Sequence, residues 1–341
     1  MYGAAAGKPG QVEMIQFPER DLQLGEVMVA PLACGICAND VKLVEKGTTD
    51  AKYALGHEVA GQIIQVAEQS RWKVGQRVVF LPYLPCGACY YCLRNQPTLC
   101  TNLFEAFPIP GGLADRVIIP RAMAERGLIL IPEDMPAEAA SLAEPVGCSI
   151  KGIEDSGVKP GDSVLIIGDG PMGIICAAAA RAYGASPVLV AGMTPHRLQA
   201  AKEHFADAVI HVAEQDLLAT TRSFTGERGA DIVIAAVSNG EVLANAIQAV
   251  RPGGTVNSFA GVPSGTVIDL DVRDLHYKQI HLTGSFGISP VYAEKAIHLI
   301  HTARIPWEPI ISARFPFEKT AEAVQYAAQR RGLKPVVIFN K

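Results

Sequence analysis

The pattern of apolar and polar positions divides the chain into two parts. Residues 1 to about 33 alternate apolar and polar positions in short runs, for example at 12–17 and 26–30, and this predicts β-strands. From residue 163 onward, apolar runs of strand length alternate with segments of helical character. We predict strands at 163–168, 188–191, 208–212, 231–237, 254–260 and 281–286, with helices between most of them. This alternation is typical of a doubly wound parallel sheet.

The two patterns predict an α/β protein with two domains. A chain of 341 residues more often forms two domains than one. We place a β-rich domain at residues 1–150, completed by residues 288–341, and a second domain with the parallel sheet at residues 151–287. A helical stretch at 137–149, together with the sequence Val158-Lys-Pro-Gly, forms the predicted hinge between them.

A glycine-rich turn follows the first strand of the second domain. Gly168, Gly170 and Gly173 have the G-x-G-x-x-G spacing and stand between an apolar run and a strong helix former. In that context the first glycine permits a tight turn, the second lets backbone N–H groups approach a pyrophosphate, and the third lets the helix pack on the strand. We predict that this loop, with Pro171 and Met172, binds a dinucleotide. A purely structural turn is the alternative.

The bulk composition excludes several classes of protein. Apolar residues make up 49% and charged residues 19% of the chain, which excludes general disorder. The net charge is only −4 and no long basic run occurs, so we expect no nucleic-acid partner. No apolar stretch approaches about 18 residues and no signal-peptide pattern begins the chain, so we expect a cytoplasmic protein without a membrane partner. Thiols stay reduced in that compartment, and the eight cysteines therefore indicate metal binding or chemistry before disulfides.

Half of the cysteines are concentrated in one short segment. Four thiolates at this density can close a tetrahedral zinc site that has no open position. Buried free cysteines and a disulfide-bonded lobe are the alternatives, but the former usually occur singly and the latter suits a secreted protein. We therefore predict a structural zinc ion that stabilises a loop and does no chemistry. Its ligands are Cys86, Cys89, Cys92 and Cys100.

A second group of candidate ligands is Cys37, His57 and Glu58. A thiolate, an imidazole and a carboxylate are all acceptable zinc ligands, and three protein ligands leave room for water or substrate. A neighbouring His-Glu pair is more often a solvated pair or part of a core than a ligand set.

The order of these motifs resembles the zinc-containing medium-chain dehydrogenases, especially the sorbitol (polyol) and threonine dehydrogenase branch. The resemblance covers nearly the whole chain. It implies a GroES-like β-rich catalytic domain, a Rossmann domain, a site in the cleft between them, two zinc ions per chain and a homodimer or homotetramer. It rests on Cys37 in Gly-Ile-Cys-x-x-Asp, the block Gly56-His-Glu-x-x-Gly61, the cysteine segment, Glu144-Pro145 and the glycine fingerprint.

The same resemblance implies the roles of the site residues. It places Cys37, rather than Cys34, at the catalytic zinc, with His57 and Glu58 at the other ligand positions. Glu144 matches the position that either ligates zinc or hydrogen-bonds its water. The implied reaction is hydride transfer between NAD(P) and a secondary alcohol, a polyol or the corresponding ketone, with zinc as a Lewis acid.

Two other kinds of protein compete with a zinc-dependent dehydrogenase. The first is a non-catalytic NAD(P)-binding redox sensor that keeps the fold and the structural zinc. The retained Cys37, His57 and Glu58 argue against it, since a site that has lost its catalytic function does not need three good metal ligands. The second is a zinc-free quinone reductase of the same superfamily, which would have no cysteine segment of this kind.

Two positions near the predicted chemistry depart from the family pattern. Asn39 stands where relatives usually have the Ser or Thr that begins a proton relay, and an amide is not a ready proton carrier at neutral pH. Our hypothesis is that a carboxylate, foremost Glu144, handles the proton instead.

The sequence Gly284-Ser-Phe286 replaces the Phe-Arg-Tyr stretch of many polyol dehydrogenases. This weakens the case for sorbitol itself and leaves a cyclic polyol, an amino alcohol or another secondary alcohol open.

A third departure concerns the choice of cofactor. Gly192 occupies the position after the second Rossmann strand where the family usually presents Asp or Glu to the ribose hydroxyls. Loss of that carboxylate would remove repulsion of a 2′-phosphate and open space for it. Thr194, His196 and Arg197 follow and could receive the phosphate. We therefore predict a preference for NADP over NAD, while NAD bound through other contacts is the alternative.

Overall fold

The computed structural model describes residues 1–48 and 51–339, and the chain forms two compact units. The first comprises Met1–Gly147, Ile288–Ala303 and Ile311–Lys341, and the second comprises Cys148–Gly287 and Arg304–Ile310. The sequence analysis placed residues 148–150 and 304–310 in the first domain, whereas the structure groups both segments with the second unit. Within the second unit, Nη2 of Arg304 donates to the carbonyl oxygen of Ala182 at 3.1 Å.

The strands and helices are numbered here in chain order. The strands are β1 (Tyr2–Ala6), β2 (Val12–Gln16), β3 (Val27–Gly35), β4 (Glu58–Val66), β5 (Arg77–Phe80), β6 (Val117–Ile119), β7 (Leu128–Leu130), β8 (Val164–Ile167), β9 (Val188–Gly192), β10 (Ala208–His211), β11 (Ala230–Ala235), β12 (Val250–Ser258), β13 (His281–Gly284), β14 (Ile311–Pro316) and β15 (Lys334–Ile338). The helices are α1 (Ala38–Lys46), α2 (Arg121–Arg126), α3 (Ala137–Ser141), α4 (Ala143–Asp155), α5 (Pro171–Ala182), α6 (Pro195–His204), α7 (Leu217–Phe224), α8 (Gly240–Ala249), α9 (Val272–Lys278), α10 (Pro290–His301) and α11 (Thr320–Ala328).

The sheet of the first unit is mostly antiparallel and has the order β14-β15-β3-β4-β5-β7, with β6 also paired to β3. Strands β1 and β2 form a separate antiparallel pair. The ends of three strands meet at one place, because Gly35 of β3 pairs with Glu58 of β4 and with Val336 of β15. The register therefore brings the start of β4 and the start of the C-terminal strand β15 close to the end of β3, just before Cys37.

The sheet of the second unit is parallel throughout and has the order β10-β9-β8-β11-β12-β13. Its interior strands β8 and β9 are buried on both faces, which explains their continuous apolar sequences. The helices that connect the strands cover the sheet. This is the doubly wound arrangement predicted from the alternation of apolar runs and helical segments, and that prediction is confirmed.

The segment that was predicted to form the hinge differs in detail from the prediction. The helix expected at 137–149 is two helices, α3 and α4, separated at Leu142, and α4 continues to Asp155. Pro145 lies in the first turn of α4, where the missing N–H costs no intrahelical hydrogen bond. Among the described residues, no helix has the length and apolar character needed to cross a lipid bilayer.

Candidate active site and metal centres

Cys37, His57 and Glu58 lie together in the first unit. Cys37 is the N-cap of α1, His57 directly precedes β4, and Glu58 is the first residue of that strand. One ligand atom from each residue can be chosen so that all three atoms lie within 4.8 Å of one another. Residues separated by some twenty positions in sequence are thus brought to one point by the pairing of β3 with β4.

A buried carboxylate fixes the two loops that carry these ligands. Asp40 is 1% exposed, and its Oδ2 accepts the backbone N–H of Cys37 while its Oδ1 accepts that of Gly56, each at 2.9 Å. The same Oδ1 lies 3.8 Å from Nδ1 of His57. Asp40 therefore holds the loop of the thiol and the loop of the imidazole in a fixed relation.

A buried lysine pairs with Glu58. Glu58 is fully buried, and Nζ of Lys334 donates to its Oε1 at 2.5 Å and to the carbonyl oxygen of Ile36 at 3.3 Å. The other carboxylate oxygen, Oε2, is buried and has no hydrogen-bond partner among the described residues. A buried oxygen in this state is costly unless a cation or a donor satisfies it. The donor set and this oxygen both fit a zinc ion.

The charges around His57 also fit a bound metal cation. Burial alone would lower the pKa of His57, but the negative charges of Asp40, Cys37 and Glu144 raise that pKa well above its usual value. This group of anionic side chains therefore attracts positive charge, which a divalent cation would supply. Burial raises the pKa of the Cys34 thiol well above its usual range and so disfavours the thiolate form that a metal binds.

Glu144 and Asn39 are not members of the three-residue cluster. Glu144 lies in the first turn of α4, and its charge raises the pKa values of His57 and Lys334, so its carboxylate is near the cluster. Asn39 has an exposed side chain in the first turn of α1.

The four remaining predicted zinc ligands also converge. The thiol sulfurs of Cys86, Cys89, Cys92 and Cys100 lie within 4.8 Å of one another, in an irregular segment with two short 3₁₀ turns. Backbone N–H groups point at the sulfurs: those of Ala88 and Cys89 donate to Cys86 at 3.4 and 3.3 Å. Backbone hydrogen bonds lower the pKa of Cys89 to about 5, while burial raises that of Cys92 to about 12. No cysteine among the described residues forms a disulfide, and these four fit a closed zinc site.

The glycine fingerprint has the geometry of a phosphate-binding turn. A Cβ at Gly173 would lie 1.9 Å from the carbonyl oxygen of Gly168, so only glycine allows α5 to approach β8 this closely. Gly170 is the N-cap of α5, and a Cβ there would have no neighbour within 4 Å. The N-terminus of α5, with Pro171 at its first position and Met172 next, is thus open to an anion. These features fit the pyrophosphate of a dinucleotide.

The surroundings of Gly192 differ from the sequence-based expectation. A Cβ placed on Gly192 would lie 2.5 Å from Cβ, Cγ and Oδ2 of Asp169, the second residue of the fingerprint. The expected open space beside Gly192 is therefore filled by a carboxylate, and that premise of the NADP prediction is wrong. Of the three residues expected to receive a 2′-phosphate, Arg197 is only 6% exposed, Thr194 is half-buried and His196 is exposed.

Sequence analysis missed two residues that the structure places at these sites. Lys334 lies close to 300 positions from Cys37, and only its presence on a strand otherwise rich in apolar residues could have drawn attention to it. Asp169 was part of the fingerprint but was treated as a variable position. The role of each depends on contacts between segments that are distant in sequence.

The family is shown by comparison with known proteins. Residues 23–133 match the model of the alcohol dehydrogenase GroES-like domain, and residues 171–302 match that of zinc-binding dehydrogenases. Sorbitol dehydrogenase of Bacillus subtilis (strain 168) is 30% identical, over 100% of this chain and 98% of that protein. The chain therefore belongs to the zinc-containing medium-chain dehydrogenase/reductase family. Within that family it is an oxidoreductase of the polyol dehydrogenase branch.

Solved structures agree with this assignment. Alcohol dehydrogenase TADH from Thermus sp. ATN1 superposes with a TM-score of 0.90 at 26% identity, and the match covers 100% of both chains. A zinc-binding dehydrogenase from Sinorhizobium meliloti 1021, bound to NADP, superposes with a TM-score of 0.88 at 26% identity, covering 99% of this chain and 98% of that one. The predicted combination of a GroES-like domain with a Rossmann domain is confirmed.

Proposed function

We propose that the protein transfers a hydride between NAD(P) and a secondary alcohol or polyol, or the corresponding ketone, at a zinc centre held by Cys37, His57 and Glu58. The observation that carries this proposal is the buried Oε2 of Glu58, which lacks a partner and belongs to a cluster of ligand atoms within 4.8 Å. The alternative of a non-catalytic redox sensor gives no reason to maintain a buried Lys334–Glu58 pair behind such a cluster.

Each side chain contributes a distinct part to this chemistry. When bound, zinc supplies Lewis acidity toward a hydroxyl or carbonyl oxygen, and nicotinamide supplies the hydride acceptor or donor. Cys37 and His57 bind the metal from loops that Asp40 holds together, and Lys334 fixes the orientation of Glu58 through Oε1. We keep the hypothesis that Glu144 holds the proton at one of its carboxylate oxygens, because its charge acts on His57 and Lys334.

A second zinc ion is proposed for the cysteine segment, where it would be structural. Four sulfurs complete a tetrahedral shell, so no ligand position remains for substrate. We therefore expect two zinc ions per chain with separate roles. The ligands proposed for this ion are Cys86, Cys89, Cys92 and Cys100.

We propose a nicotinamide dinucleotide as the cofactor, bound at the fingerprint of Gly168, Gly170 and Gly173. The open N-terminus of α5 supports this, as does the Sinorhizobium meliloti relative that is bound to NADP. The sequence-based prediction of NADP relied on free space beside Gly192. Since Asp169 fills that space, the prediction of NADP loses its main support.

The specific substrate and the assembly stay predictions. The absence of the Phe-Arg-Tyr stretch argues against sorbitol itself, and a cyclic polyol, an amino alcohol or another secondary alcohol fits the proposed chemistry. The resemblance implies a homodimer or a homotetramer. Sedimentation equilibrium of the zinc-loaded protein would give the number of chains directly.

A substrate panel run with both cofactors tests the proposed function. We expect zinc-loaded protein to change the absorbance of NAD(H) or NADP(H) with at least one polyol, amino alcohol or matching ketone. The variant H57N should lose that activity, while the control C176A, in a core cysteine outside both clusters, should keep it. Dinucleotide binding without turnover on any substrate, together with unchanged behaviour of H57N, would instead support the sensor.

A further inference from the structure

The carboxylate of Asp169 lies where dinucleotide-binding folds usually have an acidic side chain from the end of the second strand. In dinucleotide-binding folds, an Asp or Glu at the end of the second strand accepts hydrogen bonds from the ribose hydroxyls of the adenosine half. Here that strand, β9, ends at Gly192. Outside the chain neighbours of Gly192, the three heavy atoms nearest to a Cβ built there are all from Asp169, each at 2.5 Å. The acid is supplied from the glycine turn instead of from the strand.

The structure holds this carboxylate firmly. Oδ2 of Asp169 accepts the backbone N–H groups of Met193 and Thr194, at 3.0 and 2.6 Å. Thr194 is the N-cap of α6, so the carboxylate joins the glycine turn to the start of α6. Hydrogen bonds to an ionised acceptor are short and strong, and a carboxylate offers about four lone-pair sites, of which these two donors need half. Asp169 therefore has acceptor capacity for hydroxyl groups.

Two of the basic side chains near this position, His211 and Arg197, are already engaged or buried. Nδ1 of His211 lies 3.2 Å from Oε1 of Glu214, and its Nε2 lies 3.2 Å from the carbonyl oxygen of Met193. Arg197 is only 6% exposed, so its guanidinium is not presented to solvent as a phosphate receptor. The charge held closest to Gly192 is thus negative.

We propose that Asp169 takes over the function of the strand-end acid: it accepts the adenosine ribose hydroxyls and disfavours a 2′-phosphate. The site then selects NAD over NADP, which is the reverse of the preference predicted from Gly192 alone. This inference rests on the proposed function, since it requires that a nicotinamide dinucleotide binds at the fingerprint.

Direct binding measurements test the proposal without relying on turnover. NAD and NADP are titrated by calorimetry into the zinc-loaded wild type, D169N and D216N. Asn keeps one oxygen to accept the N–H groups of Met193 and Thr194 but removes the charge. Asp216 is a matched control, because its Oδ1 also accepts a backbone N–H, that of Ala219 at 2.7 Å, at the N-cap of α7.

The expected result is a charge-dependent change in cofactor preference. Wild type and D216N should bind NAD at least about 10-fold more tightly than NADP, and D169N should reduce that ratio by about 10-fold or more, as expected for one charged hydrogen-bonding group. If wild type prefers NADP, or if D169N leaves the ratio unchanged, the proposal is overturned while the proposed function stands. If neither dinucleotide binds to the wild type, the proposed function fails as well.

A relocation of the acid provides a second, independent test. G192D alone places a side chain 2.5 Å from Asp169, so we expect a lower melting temperature and weaker NAD binding. The double variant D169G/G192D moves the carboxylate to the end of β9 and should recover both stability and the NAD preference. If the double variant is no better than G192D, the two positions do not share one space or one role, and the proposal is overturned.

Discussion

The two candidate metal clusters of this protein differ in how their ligands are assembled. Cys86, Cys89, Cys92 and Cys100 come from one irregular segment, and backbone N–H groups of the same segment support their sulfurs. The other cluster combines residues from the end of β3 and the start of β4, and a lysine from β15 supports it. A local cluster can be recognised from spacing alone. The second cluster depends on the sheet.

The clusters also differ in what surrounds the ligand atoms. The four-cysteine site uses one kind of donor and leaves no position for substrate. The second cluster mixes a thiol, an imidazole and a carboxylate, and it is backed by the buried charges of Asp40 and Lys334. We infer that loss of a ligand should reduce stability at the first cluster and activity at the second. Single substitutions at the two clusters test this assignment of stability to one cluster and activity to the other.

The largest effect is expected for C37S. Loss of the thiolate weakens the catalytic metal, and Lewis-acid stabilisation worth several kcal/mol corresponds to a decrease of about 10³-fold or more in kcat/KM. The zinc content should fall by about one ion per chain, with little change in melting temperature. Steady-state kinetics, elemental analysis and thermal unfolding measure these three quantities, and C176A is the control. A large loss of stability in C37S would contradict the division of roles.

The second-largest effect is expected for C89S, and it is a loss of stability. Structural zinc sites contribute about 10 kcal/mol or more in isolated zinc fingers, but here the rest of the first unit has its own core. We expect a loss of roughly 3 kcal/mol, which at about 2–4 °C per kcal/mol lowers the melting temperature by about 6–12 °C. Protein that remains folded should keep most of its kcat.

The matched control for C89S is L93A, in the same segment. Leu93 is 72% exposed and contributes no ligand, so L93A should unfold at nearly the wild-type temperature. Limited proteolysis should find the segment 86–103 cleaved faster in C89S only. An activity loss in C89S as large as that of C37S, at equal stability, would assign this cluster a role in the chemistry.

The smallest effect is expected for K334M. Lys334 acts through Glu58, so its removal should misplace a ligand without removing one, and such supporting residues are typically worth about 10- to 100-fold in metal affinity or activity. K334R keeps the charge and should recover most of the loss. Competition with a zinc chelator measures the affinity. If K334M binds zinc and turns over like the wild type, Lys334 serves only to satisfy a buried charge.

Much of the fold follows from the sequence, because its signals are local. The alternating pattern of the first 33 residues, the apolar runs of the second unit and the spacing of the glycines each arise within one segment, and the strands of the parallel sheet lie close to their predicted positions. The break at Leu142 was missed, since α3 and α4 are adjacent and both have helical character.

Contacts between residues that are distant in the chain became visible only in the tertiary structure. The amino-acid sequence alone identified the donor types: four cysteines in one segment, and Cys37, His57 and Glu58 as candidates for a second metal. The pairing of β15 with β3 brought Lys334 to Glu58, and the approach of the turn after β8 to the end of β9 put Asp169 into the space at Gly192. Sequence spacing does not report such contacts, because backbone hydrogen bonds between strands set them without regard to separation along the chain.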